Sequence, residues 1–371
     1  MKKTQYLYKN INKTILTENT VKGNCENFIG ATQVPLGLAG PLKIYLQNIK
    51  GKAQKKEIMI PLSTTEGALV ASINRGLKAT YISKGIKTYV ENVGVTRGPL
   101  FRVKNIKEAQ KITLYIEKNI NKLKKIARNY SPHINLLKVN TQFVGKNLWL
   151  RLYFDTSEAM GMNMVTYVSE VIALKVQNDL KVKCTSLSGN FCSDKKPSWS
   201  NFILGRGKKV WAETVIKKNI VERVLKTQPK KIVEIVKNKS QLGSIITGSL
   251  GFNAHFANII AALYLSLGQD LGHIAEGSMG ITDAEVEDNG DLYFSVFMPD
   301  IMVGTVGGGT KLPTQKEALN ILGVGNKKGD SLILSQIIAA TVLAGELSLS
   351  AALASGDLAK SHKKLTSKKN D

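Results

Sequence analysis

The sequence predicts an α+β fold in which a large, helix-rich body carries a small inserted domain of the split βαβ, ferredoxin-like type. A length of 371 residues with 43% hydrophobic residues is enough for more than one buried core. Apolar residues recur at helical spacing from Ser63 and again from Leu334. Between residues 99 and 186 the pattern changes to strand, helix, two strands and helix. The similar texture on either side of this stretch indicates an insertion.

The elements of the large body follow from its capping and turn residues. Residues 1–40 form an N-terminal segment, and the Gly and Pro residues of "VPLGLAGPLKI" end any helix there. Hydroxyl side chains in "STTEG" precede a helix from Ser63, as helix N-caps commonly do. The large domain comprises residues 41–98 and 187–362. Its further predicted elements are helices in 198–216, 254–270 and 334–362 and a glycine loop at 304–314, with a mobile basic tail at 363–371 beyond it.

The inserted domain, residues 99–186, begins after a Gly-Pro turn that leads into a strand. Its first long segment is an amphipathic helix, so one face should pack on a small sheet. The predicted elements are a helix at 105–130, strands at 134–145 and 147–155, and a second helix at 158–180.

The net charge of +24, from 52 Lys and Arg against 28 Asp and Glu, allows three interpretations. Basic surface could bind nucleic acid, it could attract an anionic substrate or cofactor, or the lysines could be spread over solvated surface. Aromatic residues make up only 6% and do not alternate with basic ones, and no known nucleic-acid-binding motif is present. We therefore expect no nucleic-acid partner.

The cysteines and the apolar segments bear on location. Cys25, Cys184 and Cys192 have no CxxC spacing and cannot all pair within one chain, which predicts a reducing, cytoplasmic compartment. The N-terminal "MKKTQYLYKNINKT" lacks the apolar core of a secretory signal. Residues 337–356 are about long enough to cross a bilayer. However, Glu346 lies at their middle and small residues dominate, so we expect a tightly packed buried helix and no membrane partner.

Common catalytic motifs are missing from the sequence. It has no GxGxxG after a strand, no P-loop and no HExxH. The four histidines do not cluster with cysteines, so no metal site is expected. The glycine-rich "GTVGGGT" predicts only a sharp bend or a close approach of the backbone to something else.

Three titratable residues occupy positions that allow either a structural or a chemical interpretation. Glu66 falls in the first turn of a predicted helix, where a carboxylate could complement the helix dipole or act chemically. Asp270 follows "LYLSLGQ" near a predicted helix end, where the dipole disfavours negative charge. It therefore needs a cation, for which Lys195 or Lys196 is available, or it takes up a proton. His362 is either an exposed tail residue or a proton donor on a mobile flap, since imidazole titrates near neutral pH.

The loop "SLSGNFCSDKKP", residues 186–197, brings a hydroxyl, an amide, a carboxylate and two lysines together beside residues that prefer burial. With the other motifs, this loop resembles the catalytic part of 3-hydroxy-3-methylglutaryl-coenzyme A (HMG-CoA) reductase, of the soluble biosynthetic class I type. The resemblance covers nearly the whole chain. Its landmarks, in order, are "CENFIGATQVPLGLAGPL", "STTEGALVASINRG", "GVTRGP", "EAMGMNM", "SGNFCSDKKPSWSNFILGRGK", "GSLGFNAHFANI", "GQD", "MPDIMVGTVGGGT" and "AGELSLSAALASGDLAKSH".

This resemblance implies a reaction and an architecture. The family reduces the thioester of HMG-CoA to mevalonate and free coenzyme A by two hydride transfers from NADPH, the committed step of isoprenoid biosynthesis, without a metal. It implies that residues 99–186 are an NADP(H)-binding domain and that the large domain binds coenzyme A. It also implies a homodimer or higher homo-oligomer with active sites at the interface, and a dimer contact that begins within residues 1–40, at "ENFIG".

The family's catalytic set is matched by Glu66, Lys195, Asp270 and His362. In such an enzyme the Lys195 ammonium would stabilise the negative charge that develops on the carbonyl oxygen. His362 would protonate the departing coenzyme A thiolate. Glu66 would supply the proton after the second hydride. Asp270 would couple Glu66 to Lys195, so that the three titrate as a unit.

The resemblance also implies binding residues for each part of the reaction. Positions that hold the hydroxymethylglutaryl group are matched by Arg97, Ser188, Asp194, Lys196, Lys239 and Asn258. Coenzyme A contacts are matched within residues 72–78 and beyond by Ser72, Asn74, Arg75, Lys78 and Lys226. The nicotinamide-cofactor site is matched by Ser131, Glu158, Met160, Gly161, Met162, Asn163, Met164, Arg206, Gly207 and Lys208.

Two departures from the family pattern concern the cofactor. Glu158 stands where the family usually has Asp, one methylene shorter. Pro132, between Ser131 and His133, stands where NADPH-using members often have an Arg that pairs with the 2′-phosphate. Arg128 or His133 could compensate, so NADH is an alternative cofactor. Oxidation of mevalonate by NAD is a second alternative, although "KSH" and "SGNFCSDKKPSW" favour the biosynthetic direction.

Overall fold

The computed structural model describes residues 10–47, 53–325 and 327–356, and it confirms the predicted α+β class. The strands are β1 (Leu36–Gln47), β2 (Ala53–Ser63), β3 (Ile86–Arg97), β4 (Leu100–Arg102), β5 (Asn135–Val144), β6 (Asn147–Asp155), β7 (Lys183–Ser186), β8 (Arg206–Ile216), β9 (Gly251–Phe252), β10 (Gly280–Val286) and β11 (Leu292–Ile301).

The helices alternate with these strands along the chain. They are α1 (Glu18–Val21), α2 (Leu69–Ile82), α3 (Ile106–Lys118), α4 (Ile120–Tyr130), α5 (Met162–Leu180), α6 (Trp199–Leu204), α7 (Lys218–Ile220), α8 (Pro229–Ile235), α9 (Ser244–Thr247), α10 (Phe256–Ser266), α11 (Ile274–Gly277), α12 (Pro313–Ile321) and α13 (Asp330–Ser355). Short π-helical stretches span Val221–Leu225 and Val236–Gly243, and 3-10 turns span Leu271–His273 and Gly308–Lys311.

Strand β3 joins the two parts of the sheet. Its first half pairs in parallel with β1 and antiparallel with β8, which continues through β11 and β10 to β9. Its last residues, 95–97, pair instead with β6, beside which β5, β4 and β7 complete the smaller part. Arg97 therefore ends β3 at the junction of the two parts of the sheet.

Two clusters of buried side chains correspond to the two parts of the sheet. The larger cluster gathers apolar residues of β1, β2, β8, β11, α2, α10 and α13. The smaller cluster runs from Val95 to Val182 and adds Met302 from the large part. The domain boundaries at residues 99 and 186 stay a prediction, which the separation of the two clusters supports.

Helix α13 is the central helix of the larger cluster. By length and composition it could cross a membrane, but 83% of its most apolar stretch is buried within the protein, which confirms the expected buried helix. It crosses α2 so closely that a Cβ on Gly76 would lie 1.8 Å from the Ala344 carbonyl oxygen. Its buried Glu346 accepts hydrogen bonds from the Ala254 and His255 amides at 2.8 and 2.7 Å and from the Thr282 hydroxyl at 2.7 Å. Three donors thus satisfy the carboxylate that sits in the middle of an apolar helix.

Several predicted elements are wrong in detail. The segment 198–216 is helical only in α6; from Arg206 it is the strand β8, in which buried and less buried residues largely alternate. The predicted helix at 105–130 is divided at Asn119 into α3 and α4. Helix α2 begins at Leu69, so Glu66 precedes it and is not in its first turn. Residues 357–362 and the tail at 363–371 lie outside the described residues.

Candidate active site

The loop between β7 and α6 carries Lys195 in an uncommon backbone conformation. Asn190, Ser193 and Lys195 have φ angles of 63°, 47° and 58°, in the left-handed region that non-glycine residues seldom adopt. Buried contacts hold the loop there. The Lys195 amide donates to Glu276 Oε2 at 3.0 Å, and the Phe191 carbonyl accepts from the buried Arg151 at 3.0 Å. The mixture of polar and apolar residues in this loop therefore has a structural reason. Hydrogen bonds to buried side chains hold one side of the loop, and its other side faces a cavity.

Lys195 forms an ion pair with Asp270. The distance from Lys195 Nζ to Asp270 Oδ2 is 2.7 Å, so Lys195 is the cation that the sequence required beside this carboxylate. Asp270 also caps the 3-10 turn after α10, accepting from the Gly272 amide at 2.9 Å. Burial raises the pKa of Asp270, but the hydrogen bonds from Lys195 and Gly272 outweigh it and place the pKa below its ordinary value. The carboxylate stays ionised and keeps the ammonium in place.

A buried arginine lies under this pair. Arg206, from β8, binds Asp194 Oδ1 at 2.8 Å, binds Glu276 Oε1, and donates to the Thr96 hydroxyl at 3.0 Å. Burial lowers the pKa of Arg206, but the charges of Glu276, Asp300 and Asp194 raise it above its ordinary value. Asp194 also receives Arg97 at 3.4 Å.

Asp194, His273 and Glu276 are close enough together to ligate a metal ion. Among the described residues, however, the Arg206 guanidinium already binds two of these three groups. The Arg206 guanidinium therefore supplies the positive charge that these carboxylates need, and their arrangement does not require a metal ion.

A cavity of about 690 Å³ opens above the Lys195–Asp270 pair. One wall carries Arg97 and Asp194, another carries residues 160–164 at the start of α5, and a third carries the glycine-rich residues 304–309. A Cβ on Gly304 would lie 2.3 Å from the Met160 amide nitrogen, which confirms that this glycine segment allows a close backbone approach. The cavity thus brings predicted catalytic, substrate-binding and cofactor-binding residues together.

Glu66 lies away from the cavity that contains Lys195 and Asp270. It is exposed, does not line the cavity, and accepts a hydrogen bond from Asn258 Nδ2 at 3.3 Å. Asn258 lies in the first turn of α10, whereas Asp270 follows the last turn. Since α10 has 11 residues, the two ends are roughly 16 Å apart. Within one chain, the predicted catalytic residues therefore form two half-sites, and His362 lies outside the described residues.

The residues predicted to bind coenzyme A are partly engaged in the scaffold. On α2, the Ser72 hydroxyl and Arg75 Nε both donate to the Ser348 hydroxyl at 3.0 Å, and Asn74 accepts from the Gly40 amide at 2.8 Å. These bonds fix α2 against α13 and β1. Lys78 and Lys226 are exposed, and the coenzyme A contacts of all five residues stay predictions.

The predicted cofactor residues fall into two groups. Residues 160–164 line the cavity, and Met162 Sδ accepts from Arg206 at 3.2 Å. Lys208 is buried and donates to the Val303 carbonyl at 3.2 Å; burial lowers its pKa to about 8, against the opposing charges of Asp155 and Glu158. Gly207 has a φ of 65° close to Ile301.

Two residues predicted to contact the cofactor, Glu158 and Ser131, also have partners within the chain, and their cofactor contacts stay predictions. The Glu158 carboxylate accepts from the Gly329 and Ser331 amides at 2.6 and 2.7 Å, at the start of α13. The Ser131 hydroxyl accepts from the His133 amide at 3.2 Å. Of the remaining substrate residues, Ser188 and Lys239 are exposed and Lys196 Nζ donates to the Asp194 carbonyl at 3.2 Å.

Sequence reasoning missed two residues of this site, His273 and Glu276. Both are fully buried, and Glu276 contacts the Lys195 amide, Arg206 and His273. A signal was present, because Asp270, His273 and Glu276 are spaced three apart in "GQDLGHIAEG", the spacing that puts side chains on one helical face.

Comparison with known proteins shows the family of this chain. Residues 2–367 match the family model described as hydroxymethylglutaryl-coenzyme A reductase. The 3-hydroxy-3-methylglutaryl-coenzyme A reductase of Pyrococcus abyssi is 49% identical over 348 residues, covering 92% of this chain and 84% of that protein. That of Methanocaldococcus jannaschii is 47% identical, covering 98% and 90%. These matches define an oxidoreductase. The chain belongs to the hydroxymethylglutaryl-coenzyme A reductase family.

Solved structures show the same fold. A class II 3-hydroxy-3-methylglutaryl-CoA reductase from Streptococcus pneumoniae, bound to NADPH in open conformations, superimposes with a TM-score of 0.72 over 90% of this chain and 89% of that one. A second structure of the Streptococcus pneumoniae reductase gives 0.73 over 94% and 81%. Both are 19% identical to this chain, so they bear on the fold alone, and the expected class I type stays a prediction.

Proposed function

We propose that this chain is a biosynthetic, class I reductase that converts HMG-CoA to mevalonate and free coenzyme A at the expense of two NADPH. The observation that carries the proposal is the Lys195–Asp270 ion pair at 2.7 Å, which faces a cavity shared with residues 160–164 and Arg97. An ammonium fixed beside a carboxylate, in a cavity with room for a thioester and a nicotinamide, suits the reduction of a carbonyl group.

Lys195 acts on the oxygen of the reacting carbonyl. Each reduction step adds a hydride to carbon and develops negative charge on that oxygen, which the ammonium stabilises because Asp270 holds it in position. Glu66 and His362 are the proposed proton donors, to the alcohol oxygen and to the departing thiolate.

Arg97 suits the free carboxylate of the substrate. It lines the cavity, and its single ion pair with Asp194 is long, at 3.4 Å. Its Nε is buried and has no hydrogen-bond partner among the described residues. A buried, unpaired guanidinium donor is a group that a carboxylate would satisfy with a charge-assisted hydrogen bond.

The start of α5 suits the dinucleotide. The cofactor supplies the hydride; the chain supplies residues 160–164 along one cavity wall and the amide groups of a helix N-terminus, where anions bind favourably. The NADPH-bound relative from Streptococcus pneumoniae supports NADPH. NADH stays the alternative, because Pro132 has no charged group and Arg128 Nε already donates to Asn135 at 2.7 Å.

The active enzyme is proposed to be a homodimer in the cytoplasm. The Glu66–Asn258 and Lys195–Asp270 half-sites lie at opposite ends of α10, so the described part of one chain holds these two groups apart. A symmetric pair of chains can place the Glu66 half-site of one beside the Lys195 half-site of the other. That all three cysteines are free supports a reducing compartment.

The proposal is tested with purified protein and HMG-CoA, following the loss of NADPH and of NADH separately. We expect two reduced cofactors to be consumed per thioester, with no turnover in Lys195→Ala. Lys118→Ala removes an exposed lysine from α3 and serves as the matched control, with wild-type turnover expected. Folded protein that turns over neither cofactor would contradict the proposed reaction, and turnover with NADH alone would correct the cofactor.

A further inference from the structure

His273 lies directly behind the Lys195–Asp270 pair and is fully buried. Its Nδ1 contacts Glu276 Oε1, and its Nε2 lies 3.6 Å from Asp270 Oδ2, the oxygen that receives Lys195. The imidazole therefore bridges two carboxylates, one at the cavity and one beneath it.

The two ring nitrogens restrict where protons can be. A carboxylate only accepts hydrogen bonds, so the contact with Glu276 requires a proton on Nδ1. In the described part of the chain, Nε2 is buried and has no hydrogen-bond partner. Without a proton, its lone pair would face a carboxylate oxygen across 3.6 Å with no compensation; with a proton, the same contact is an ion pair that can shorten to a hydrogen bond.

The surrounding charges favour the second arrangement. From Lys195 inward, basic and acidic groups alternate if His273 is cationic: Lys195, Asp270, His273, Glu276, Arg206 and Asp194. The other titratable groups near Glu276 are Tyr264 of α10 and Asp300 of β11. Burial is the largest cause that raises the pKa values of both well above their ordinary values, and the charge of Glu276 adds to it. At Asp300, the charges of Arg206 and Arg151 and the hydrogen bond from Asn201 oppose this shift.

We propose that His273 is a positioning residue for the reduction proposed above: its imidazolium, shared between Glu276 and Asp270, holds the Asp270 carboxylate in the orientation that pairs with Lys195. The same residue connects two anchors of Lys195, because Glu276 binds the Lys195 backbone amide and Asp270 binds its ammonium. The backbone and the side chain of Lys195 are thus held by one continuous network, which is buried at His273 and Glu276 and reaches the cavity at Asp270.

The first test is the pH dependence of turnover in His273→Gln. Glutamine can still donate a hydrogen bond but carries no charge, so the Asp270 carboxylate loses a cationic neighbour. We expect kcat to fall about 10- to 100-fold while KM for HMG-CoA changes less than about threefold, and the acid limb of the kcat profile to move to higher pH. A merely structural histidine would lower the unfolding temperature and leave the position of that limb unchanged.

A double-mutant cycle with Asp270→Asn separates the two roles further. If His273 acts through Asp270, the double variant should be no slower than Asp270→Asn alone. The proposal would be overturned by any one of three results. These are a kcat in the double variant lowered by the product of the two single effects, an unchanged kcat in His273→Gln, and an acid limb that does not move. Absence of turnover in the wild type would instead overturn the proposed reaction.

The protonation itself is measurable in the wild-type protein, without turnover and without a foldable variant. Nitrogen-15 labelling of the histidine rings, with signals assigned by substituting His133, His255 and His362 singly, reports the proton on each ring nitrogen. We expect both nitrogens of His273 to be protonated at pH 7. A deprotonated Nε2 at this pH would overturn the imidazolium bridge even if the enzyme is active.

Discussion

Two chains that are inactive on their own should restore activity when they assemble together, because the structure places the proposed catalytic groups in separate half-sites. Glu66→Gln removes the carboxylic acid that Asn258 binds and keeps its shape. Lys195→Met removes the ammonium that pairs with Asp270 and keeps most of the side-chain length. In the proposed homodimer, each variant on its own would lack one of these groups in both sites, so each should be inactive.

The expected recovery follows from the symmetry of the assembly. In a mixed dimer, one site receives both altered residues, and the other receives Glu66 from one chain and Lys195 from the other, both intact. Random assembly of equal amounts makes half of the dimers mixed, so about one quarter of the wild-type sites should be active. If a single chain completed its own site, every site in the mixture would lack one group.

The assay is the oxidation of reduced cofactor with HMG-CoA after the two chains are expressed together with different affinity tags. Purification over both tags isolates mixed dimers, in which about half of the wild-type turnover per site is expected. Homodimers of each variant, with unchanged unfolding temperatures, are the controls. Turnover in the doubly purified sample that does not exceed that of the homodimers would refute the two-chain site.

Three further predictions concern the scaffold and can be measured by thermal and denaturant unfolding. Glu346→Ala leaves three donors, from Ala254, His255 and Thr282, without an acceptor and should lower the free energy of unfolding by about 3 kcal/mol. Glu346→Gln should lower it less, because the amide oxygen still accepts hydrogen bonds. Equal decreases in the two variants would contradict the hydrogen-bond account. Gly76→Ala places a Cβ 1.8 Å from the Ala344 oxygen and should destabilise by about 3 kcal/mol, whereas Gly67→Ala, with nothing within 4 Å, is the matched control. The pKa of Lys208 is about 8 in the folded protein against 10.5 unfolded, so the unfolded chain binds more protons between these values and stability rises with pH there. Relative to Lys208→Met, the wild type should gain about 1 kcal/mol between pH 7 and 9, and parallel pH profiles would contradict this.

Local patterns predicted the inserted domain better than the large one. The helix α5 and the strands β5 and β6 lie near their predicted positions. In the large domain, the predicted helix across 198–216 overlooks Gly205, which separates the short helix α6 from β8, and Gly207 at the start of β8. Buried and less buried residues largely alternate along β8, which is the period of a strand, so the sequence held a signal for it.

The candidate site was predictable where a single residue occupies an electrostatically unfavourable position in the sequence pattern. A carboxylate near the end of a helix predicted either a nearby cation or a bound proton, and in the structure Lys195 is that cation. The contacts of the network beneath were not predictable in this way, because Glu276 is 70 residues from Arg206 in the sequence and only the fold brings them together. The position of Glu66 was not predictable from the sequence either. Helical spacing placed it inside α2, and only the fold shows that it faces Asn258.

Helix α10 gives these observations a common physical basis. Its start is fixed by Glu346 of α13, which binds the amides of Ala254 and His255, and its end leads directly into Asp270. Because the helix is buried along most of its length, the two half-sites attached to it cannot move independently within one chain. In the proposed dimer, the distance between Glu66 of one chain and Lys195 of the other would then be set by how the chains dock. A substitution at the chain-chain interface should therefore change kcat while leaving each half-site, and the Lys195–Asp270 distance, as they are here.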